Sequence, residues 1–327
     1  MAKIFLTGAT GLVGSFVAQK LLEQKHQVNC LIRITSNLKW IEGLPLQLLT
    51  GSLFEPQSFK DAVADSDYVL HVAGVTKAFD KTEYCRGNVE TTKLLLDTIC
   101  EVNTSLKRFL LVSSQAAVGP SPGANPIDET YACHPLTDYG ISKMESEQLA
   151  HRYMEKVPIT IVRPPSVYGP RDTDVFNFFK GIRRGLNLQV GDMDQLVSLV
   201  YVEDLAAGII QAAFSPNSLG KTYFICEETP YYWSHVAEIT AEIMGIKFRT
   251  IRIPYKLAIG IASLLEVYSK LQKKPTILNR QKMLEVKQSF WSISPQNAIN
   301  DFGYQTQFPL PKGIEKTIRW YEETEWF

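Results

Sequence analysis

Short apolar runs alternate with helical periodicity through the first half of the chain. Lys3-Ile4-Phe5-Leu6 gives way to a glycine-rich turn, after which Phe16, Val17, Leu21 and Leu22 recur at helical spacing with Ala18 between them. Residues 26–32, 46–49, 68–72, 108–112 and 159–162 read as the second to sixth strands. Helical stretches separate them, the longest at 83–102 and 139–156. Strands this uniformly apolar are buried on both faces, and their alternation with helices predicts an α/β fold with a doubly wound parallel sheet. Ligands of such sheets bind beyond the carboxyl ends of the strands. Past Pro164-Pro165 the regularity falls, and proline and aromatic residues cluster at Pro230-Tyr231-Tyr232-Trp233. The expected organisation is a sheet domain over residues 1–165, with a return of the chain to it around 196–226, and a smaller lobe, mostly 166–327, closing over the ligand.

Composition is ordinarily globular, with 45% hydrophobic and 21% charged residues, and 34 basic side chains match 34 acidic ones. No basic excess points to nucleic acid, and no acidic tail suggests a solvating segment. The five cysteines, Cys30, Cys85, Cys100, Cys133 and Cys226, form no C-x-x-C pair, which fits a reducing compartment and argues against a disulfide framework or zinc site. The five histidines are equally scattered, so no metal centre is expected. The chain starts directly on a strand, and its longest apolar stretch, 257–265, is too short to span a bilayer. A soluble, cytoplasmic protein is expected.

The turn Thr7-Gly8-Ala9-Thr10-Gly11-Leu12-Val13-Gly14 places glycines at intervals of three between a strand and a helix. Gly8 permits the tight turn, Gly11 lets backbone approach a pyrophosphate, and Gly14 lets the helix pack closely on the strand. Free backbone N–H groups and the helix dipole favour an anion, so a phosphate-bearing cofactor is expected on Gly8, Thr10, Gly11, Leu12 and Val13. The second strand ends on Ile32-Arg33. An acid there would bind the ribose 2′-hydroxyl of NAD, whereas an arginine accommodates the 2′-phosphate of NADP. Arg33, helped by Lys39, therefore tips the expectation to NADP over NAD. Ser52 and Leu53 reach the adenine side, and the fourth strand ends in Val72, Ala73 and Gly74, where backbone can pass close to the cofactor.

Tyr139-Gly140-Ile141-Ser142-Lys143 carries the reactive groups. On a helix begun near Asp138, residues four apart share a face, so the phenol and the ammonium can both reach one bound cofactor. Free tyrosine titrates near about 10, and an adjacent ammonium stabilises the phenolate and lowers that value. Tyr139 can then exchange a proton with an alcohol or ketone while hydride moves to or from a nicotinamide. Ser113-Ser114, at the end of the fifth strand, offers a hydroxyl to orient the substrate oxygen.

Together these motifs resemble the extended short-chain dehydrogenases/reductases, in the broad NAD-dependent epimerase/dehydratase group. The likeness runs nearly end to end. It takes in Thr7-Gly8-x-x-Gly11-x-x-Gly14, His71-x-Ala73-Gly74, Asn88, Ser113-Ser114 before Gly119, and Tyr139-x-x-x-Lys143. It continues with Arg163-Pro164-x-x-Val167-Tyr168-Gly169-Pro170, Tyr201-Val202-Glu203-Asp204-Leu205-Ala206, Phe302-Gly303-Tyr304, Gly313-Ile314 and Trp320-Tyr321. The resemblance implies a Rossmann domain followed by a C-terminal substrate-binding lobe. It implies that Tyr139 is the catalytic acid/base, that Lys143 tunes it and holds the nicotinamide ribose, and that Ser114 is the hydroxyl partner. Pro164, Ser166 and Val167 would line the nicotinamide, and the two long helices would pair two chains as a homodimer.

Within that group, nucleotide-sugar epimerases and dehydratases usually carry Asn near the position of Ser166 and a basic residue where this chain reads Leu196-Val197-Ser198-Leu199. A diphosphate needs positive partners or several donors, which Arg171, Arg183 or Arg184 could supply instead. Ser52, where many relatives have Asp, weakens the usual adenine contact. Arg33 and the apolar segment 253–268 resemble the dihydroflavonol reductase and 3β-hydroxysteroid dehydrogenase branch, which acts on apolar ketones and alcohols. That segment reads first as the packed face of a helix, and otherwise as cover over a lipophilic substrate or contact with a membrane surface. The expectation is an NADP-preferring oxidoreductase that interconverts an alcohol and a ketone. A nucleotide-sugar epimerase or dehydratase with a tightly held cofactor is the alternative. A cofactor-binding sensor without turnover is a third reading, disfavoured because such proteins commonly lose the tyrosine or the lysine.

Overall fold

Lys3–Thr7 (β1), Gln27–Ile32 (β2), Gln47–Thr50 (β3), Tyr68–His71 (β4), Arg108–Val112 (β5), Ile159–Arg163 (β6) and Thr222–Phe224 (β7) form one seven-stranded sheet, in the order β7-β6-β5-β4-β1-β2-β3. Every neighbouring pair in it is parallel. The structure is a computed structural model that describes residues 1–191, 194–272, 274–276 and 279–327. Each strand expected from the apolar runs is present, with ends within one residue of the run. The order runs outward from β1 to β3 and then resumes beside β1 at β4. This reversal opens a crevice beyond the carboxyl ends of β1 and β4.

Both faces of the sheet are covered. Leu12–Glu23 (α1) buries Phe16, Val17 and Leu21 on one face, beside Leu205, Ile209 and Ile210 of a later helix, Val202–Phe214. On the other, Thr91–Val102 (α2) buries Leu95, Leu96 and Ile99 against Phe5, Val69, Phe109 and Ile161. The helix expected from residue 83 begins earlier, at Lys81–Cys85, and passes through a π turn, Arg86–Glu90, before entering α2. The extra residue of that turn brings Asn88 inward, where it is buried. The second long helix, Asp138–His151 (α3), stops short of the expected residue 156. After Arg152 the chain is held by i→i−3 bonds, such as the Tyr153 N–H to the Ala150 carbonyl at 3.0 Å, and Pro158 biases Val157 away from helical conformation beyond them.

The remaining chain contributes shorter pieces. Ser166–Tyr168 pairs with Leu199–Tyr201, and Leu186–Val190 with Arg249–Ile253. A separate core of Tyr168, Phe179, Tyr201, Val236, Ile314 and Tyr321 supports them. The apolar segment 253–268 lies largely in the helix Tyr255–Gln272, and the packed face expected of it forms only in part, with Ile253, Tyr255 and Ile259 against Ala258, Ala262 and Met283. The residues it buries are small, Ala258, Ala262 and Ser269, whereas Leu257, Ile261, Leu264, Tyr268 and Leu271 are exposed. Among the described residues no helix is long and apolar enough to cross a membrane.

Candidate active site

The glycine turn closes on itself with no room to spare. Gly8 sits at φ +81°, and a Cβ there would lie 2.6 Å from the backbone nitrogen of Ala73. A Cβ on Gly14 would lie 2.0 Å from the carbonyl oxygen of Gly8, so only glycine lets α1 approach β1 this closely. Gly11 differs: its Cβ would meet no protein atom nearer than 3.4 Å, and the space beside it is open. Gly11 is also the N-cap of α1, whose first turn carries no acid and whose end is capped by no side chain. Unsatisfied N–H groups and the positive end of the dipole therefore face that space, as a pyrophosphate requires.

Thr10, Arg33, Ser52, Leu53, Ala73 and Gly74 line a cavity of about 330 Å³ next to this turn, together with Gly8, Gly11 and Val72. Arg33 is exposed, its backbone N–H donates to Ser36 Oγ at 3.0 Å, and its guanidinium has no ion pair among the described residues. Lys39, expected to help it, instead places its ammonium 4.5 Å from the Trp40 ring centre. Ser52 is pinned in its turn, accepting from the Phe54 N–H at 3.2 Å and donating its own N–H to Ser58 Oγ at 3.1 Å. This donor set and open helix end fit a dinucleotide cofactor.

Leu12, Val13, Val72, Pro164, Ser166 and Val167 continue the lining into a larger cleft of about 890 Å³, which Ser114, Tyr139 and Lys143 also face. Thr137 caps α3 by accepting from the Gly140 N–H at 3.1 Å, and the helix then sets Tyr139 and Lys143 one turn apart. Lys143 is buried and donates to the Val112 carbonyl at 2.7 Å, and burial pushes its ammonium down to about 8. Tyr139 is pushed up to about 12, chiefly by burial. A hydrogen bond with Ser114 pulls it back, while Glu285 pushes it further up. This is the reverse of the lowering expected from an adjacent ammonium, because desolvation of the phenol dominates and Lys143 is bonded to the β5 carbonyl. The hydroxyl of Ser113, the other serine of the pair, is buried with no hydrogen-bond partner among the described residues, and Ser113 also lines the cleft.

Two buried networks hold these groups in place. The amide of Asn88 brackets Val75, accepting from its N–H at 2.7 Å and donating to its carbonyl at 3.1 Å, and also donates to Ser142 Oγ at 2.9 Å. It thereby ties the π turn to α3 beside Gly74. The second network runs through His71. The Ala73 N–H donates to Thr7 Oγ1 at 3.2 Å, and Thr7 lies 2.7 Å from His71 Nδ1. His71 Nε2 is 3.2 Å from Thr92 Oγ1, whose own proton goes to the Asn88 carbonyl. The bonding assigns the proton to Nε2, and burial with the nearby Lys143 charge pushes this imidazole down to about 3. His71 is a neutral strut between β1, β4 and the π turn.

The wall opposite Tyr139 comes from Gln195, Val197, Trp233, Lys282, Val286 and Trp291, of which the sequence singled out Val197, within 196–199, and Trp233, within the aromatic cluster, neither of them as lining the site. Arg280–Val286 seats this wall on the start of α3. Gln281 accepts from the Asp138 N–H at 2.7 Å and donates to its carboxylate at 2.6 Å, and the Thr137 hydroxyl donates to Glu285 at 3.3 Å. Two of the cations near the cleft are ion-paired, whereas Arg171 has only neutral partners and its buried Nε has none among the described residues. Lys77 pairs with Asp174 at 3.0 Å and Lys282 with Glu285 at 2.8 Å. Arg171 donates to Ser15 at 2.8 Å and Gln19 at 3.1 Å while stacked on Phe16. Arg183 pairs at the surface with Glu322, and Arg184 is exposed; neither lines the cleft.

Residues 4–226 match the NAD dependent epimerase/dehydratase family. The chain is 28% identical to a ceramide reductase of Caulobacter vibrioides, over 99% of this chain and 95% of that one. It is 25% identical to a 2-alkyl-3-oxoalkanoate reductase of Shewanella oneidensis, over 95% and 84%. A UDP-glucose 4-epimerase of Thermotoga maritima shares the fold with a TM-score of 0.81, at 20% identity over 98% of this chain and 99% of that one. The chain belongs to the NAD-dependent epimerase/dehydratase family, and is an NAD(P)-dependent enzyme of that family.

Proposed function

We propose that the protein is an NADP-preferring oxidoreductase that interconverts an alcohol and a ketone on an apolar substrate, with Tyr139 as acid/base. One observation carries this reading: Tyr139 and Ser114 meet between the glycine cradle and a wall that, beside Gln195 and Lys282, is made of Val197, Trp233, Val286 and Trp291, and its cations Lys77 and Lys282 are already held in ion pairs. A nucleotide diphosphate would have to displace those partners, and a buried anion left without them is costly. An apolar ketone needs none of them. Two relatives named as reductases, of ceramide and of a 2-alkyl-3-oxoalkanoate, support the same reading.

In this reading residues 1–165 hold the cofactor and 166–327 mostly hold the substrate. The Gly8–Val13 turn would hold the pyrophosphate, Arg33 the 2′-phosphate, Ser52 and Leu53 the adenine side, and Pro164, Ser166 and Val167 the nicotinamide. The nicotinamide, when bound, supplies or accepts hydride. Ser114 donates a hydrogen bond to the substrate oxygen and keeps it beside the Tyr139 hydroxyl. Tyr139 gives its proton to that oxygen as the ketone is reduced and takes it back in the reverse direction. A phenol held near about 12 keeps its proton for donation, and the Lys143 ammonium stabilises the phenolate that results. The homodimer through the 81–102 helix and α3 belongs to the same reading, and light scattering of the purified protein tests it.

The deciding experiment is a thermal-shift screen in the presence of NADPH, setting long-chain and steroid-like ketones against UDP- and dTDP-sugars. A ligand that binds the folded state raises its melting temperature. Ketones should stabilise the protein and then be turned over. Stabilisation by nucleotide sugars alone would replace this reading with an epimerase or dehydratase. Fluorescence titration should show NADPH binding more tightly than NADH, and equal or tighter NADH binding would refute the NADP preference.

A further inference from the structure

The helix Tyr255–Gln272 presents a stripe of Leu257, Ile261, Leu264, Tyr268 and Leu271 at the 4-3-4-3 spacing of a single helix face. Leu264 is 73% exposed and Leu271 76%. The surface continues beyond the helix. Leu188 and Ile251 are register partners across two short strands, and both are exposed. Val190 and Ile253, also register partners and two residues further along, pack onto Ala258, Ala262 and Met283 beneath the helix. Leu188, Val190 and Val286 also line the cleft that Tyr139 faces, so the exposed apolar surface reaches the cleft mouth.

Along 247–274 the charges are one-sided, although Asp80 and Asp138 of the sheet domain flank Glu266, Ser269 and Lys270 at one edge of the helix. Lys247, Arg249, Arg252, Lys256, Lys270 and Lys274 are all exposed. Glu266 is the only acid between them in sequence, and it is engaged by Arg280 at 3.1 Å and Lys270 at 3.6 Å. An amphipathic helix with an apolar stripe and basic flanks lies in the plane of an anionic membrane, its apolar side among the acyl chains and its cations at the headgroups. Pairing with a second copy about the same stripe would bring like charges together.

We infer that this surface docks on an anionic lipid bilayer, placing the mouth of the catalytic cleft at the membrane. The helix lies on the bilayer and does not cross it. This inference is separable from the substrate reading, because membrane binding can be read without turnover.

The test is flotation of the purified full chain with phosphatidylglycerol–phosphatidylcholine vesicles and with phosphatidylcholine vesicles alone. The chain should float with the anionic vesicles, and less so as salt is raised. The double variants Leu264→Glu/Leu271→Glu and Arg249→Glu/Arg252→Glu should each bind about tenfold more weakly or worse. All four positions are exposed, so melting temperature and NADPH affinity should be unchanged in both variants, which separates lost docking from lost folding. Failure of the parent chain to float with anionic vesicles, or equal flotation of the variants, overturns the inference. So does a parent dimer that ignores vesicles and is split by Leu264→Glu/Leu271→Glu in light scattering, which would give the stripe to a second copy.

Discussion

On the cofactor side of the cleft the shape is set by backbone: Gly8 and Gly14 leave no room for a Cβ, and Gly11 opens the helix end to an anion. On the other side it is set by side chains from separate segments, Gln195, Trp233, the 280–286 helix and Trp291, anchored to α3 through Gln281 and Glu285. A backbone-built surface recognises what all its ligands share, here a pyrophosphate. A side-chain wall can change residue by residue without moving the groups around Tyr139, so in the proposed reading it is where substrate choice would be made. Tyr139 belongs to both, reached by Ser114 from the strand side and by the field of Glu285 from the wall.

The contrast predicts a graded set of effects. Tyr139→Phe should lower kcat by about a thousandfold while leaving the NADPH dissociation constant nearly unchanged, measured by steady-state kinetics and fluorescence titration. Gly14→Ala should cost about 1–3 kcal/mol of stability and weaken NADPH binding, because its Cβ overlaps the Gly8 carbonyl. A denaturant titration unchanged from the parent would show that the turn can yield. Arg33→Asp should weaken NADPH roughly tenfold relative to NADH, by removing a charge-assisted contact and adding a repulsive one.

Lys143, held near about 8, binds fewer protons folded than unfolded between that value and its unfolded value of about 10.4. Its contribution to stability therefore rises with pH across that window and is lowest below it. Lys143→Met should remove this rise, which unfolding curves at about pH 8 and about pH 10 would show. The smallest effect belongs to the wall. Glu285→Gln removes a charge that raises Tyr139, so the pKa assigned to Tyr139 in the pH–rate profile should fall by less than about one unit. An upward shift would contradict the placement of Glu285 beside the phenol.

The two sides were also unequally legible in the sequence. β1 through β6, the glycine turn and the Tyr139–Lys143 face are written in local spacing, since apolar runs, glycine intervals and a four-residue step follow from nearby residues alone. Ser114, Arg33, Val167 and the other residues read from local spacing line the two cavities. Trp291, Gln281 and Lys282 have no such signature, because their meeting with Tyr139 depends on contacts across more than ninety residues of chain. Spacing could not show the direction of the Tyr139 shift either, since burial outweighs a neighbouring charge and depends on the whole fold. Gly87-Asn88 inside a helical pattern was the one local hint of the π turn.

That turn has a consequence for how this chain can vary. An α-helix advances about 100° per residue, so one inserted residue puts the segments before and after Arg86–Glu90 out of phase by that angle. Leu95, Leu96 and Ile99 keep the phase that meets the sheet, while Tyr84, whose ring centre lies 5.9 Å from that of Tyr139, keeps the phase that meets the cleft. A one-residue deletion here could preserve either the core or the cleft but not both, and no substitution elsewhere on the helix would restore the lost angle. The segment should therefore accept changes of residue identity far more readily than changes of length.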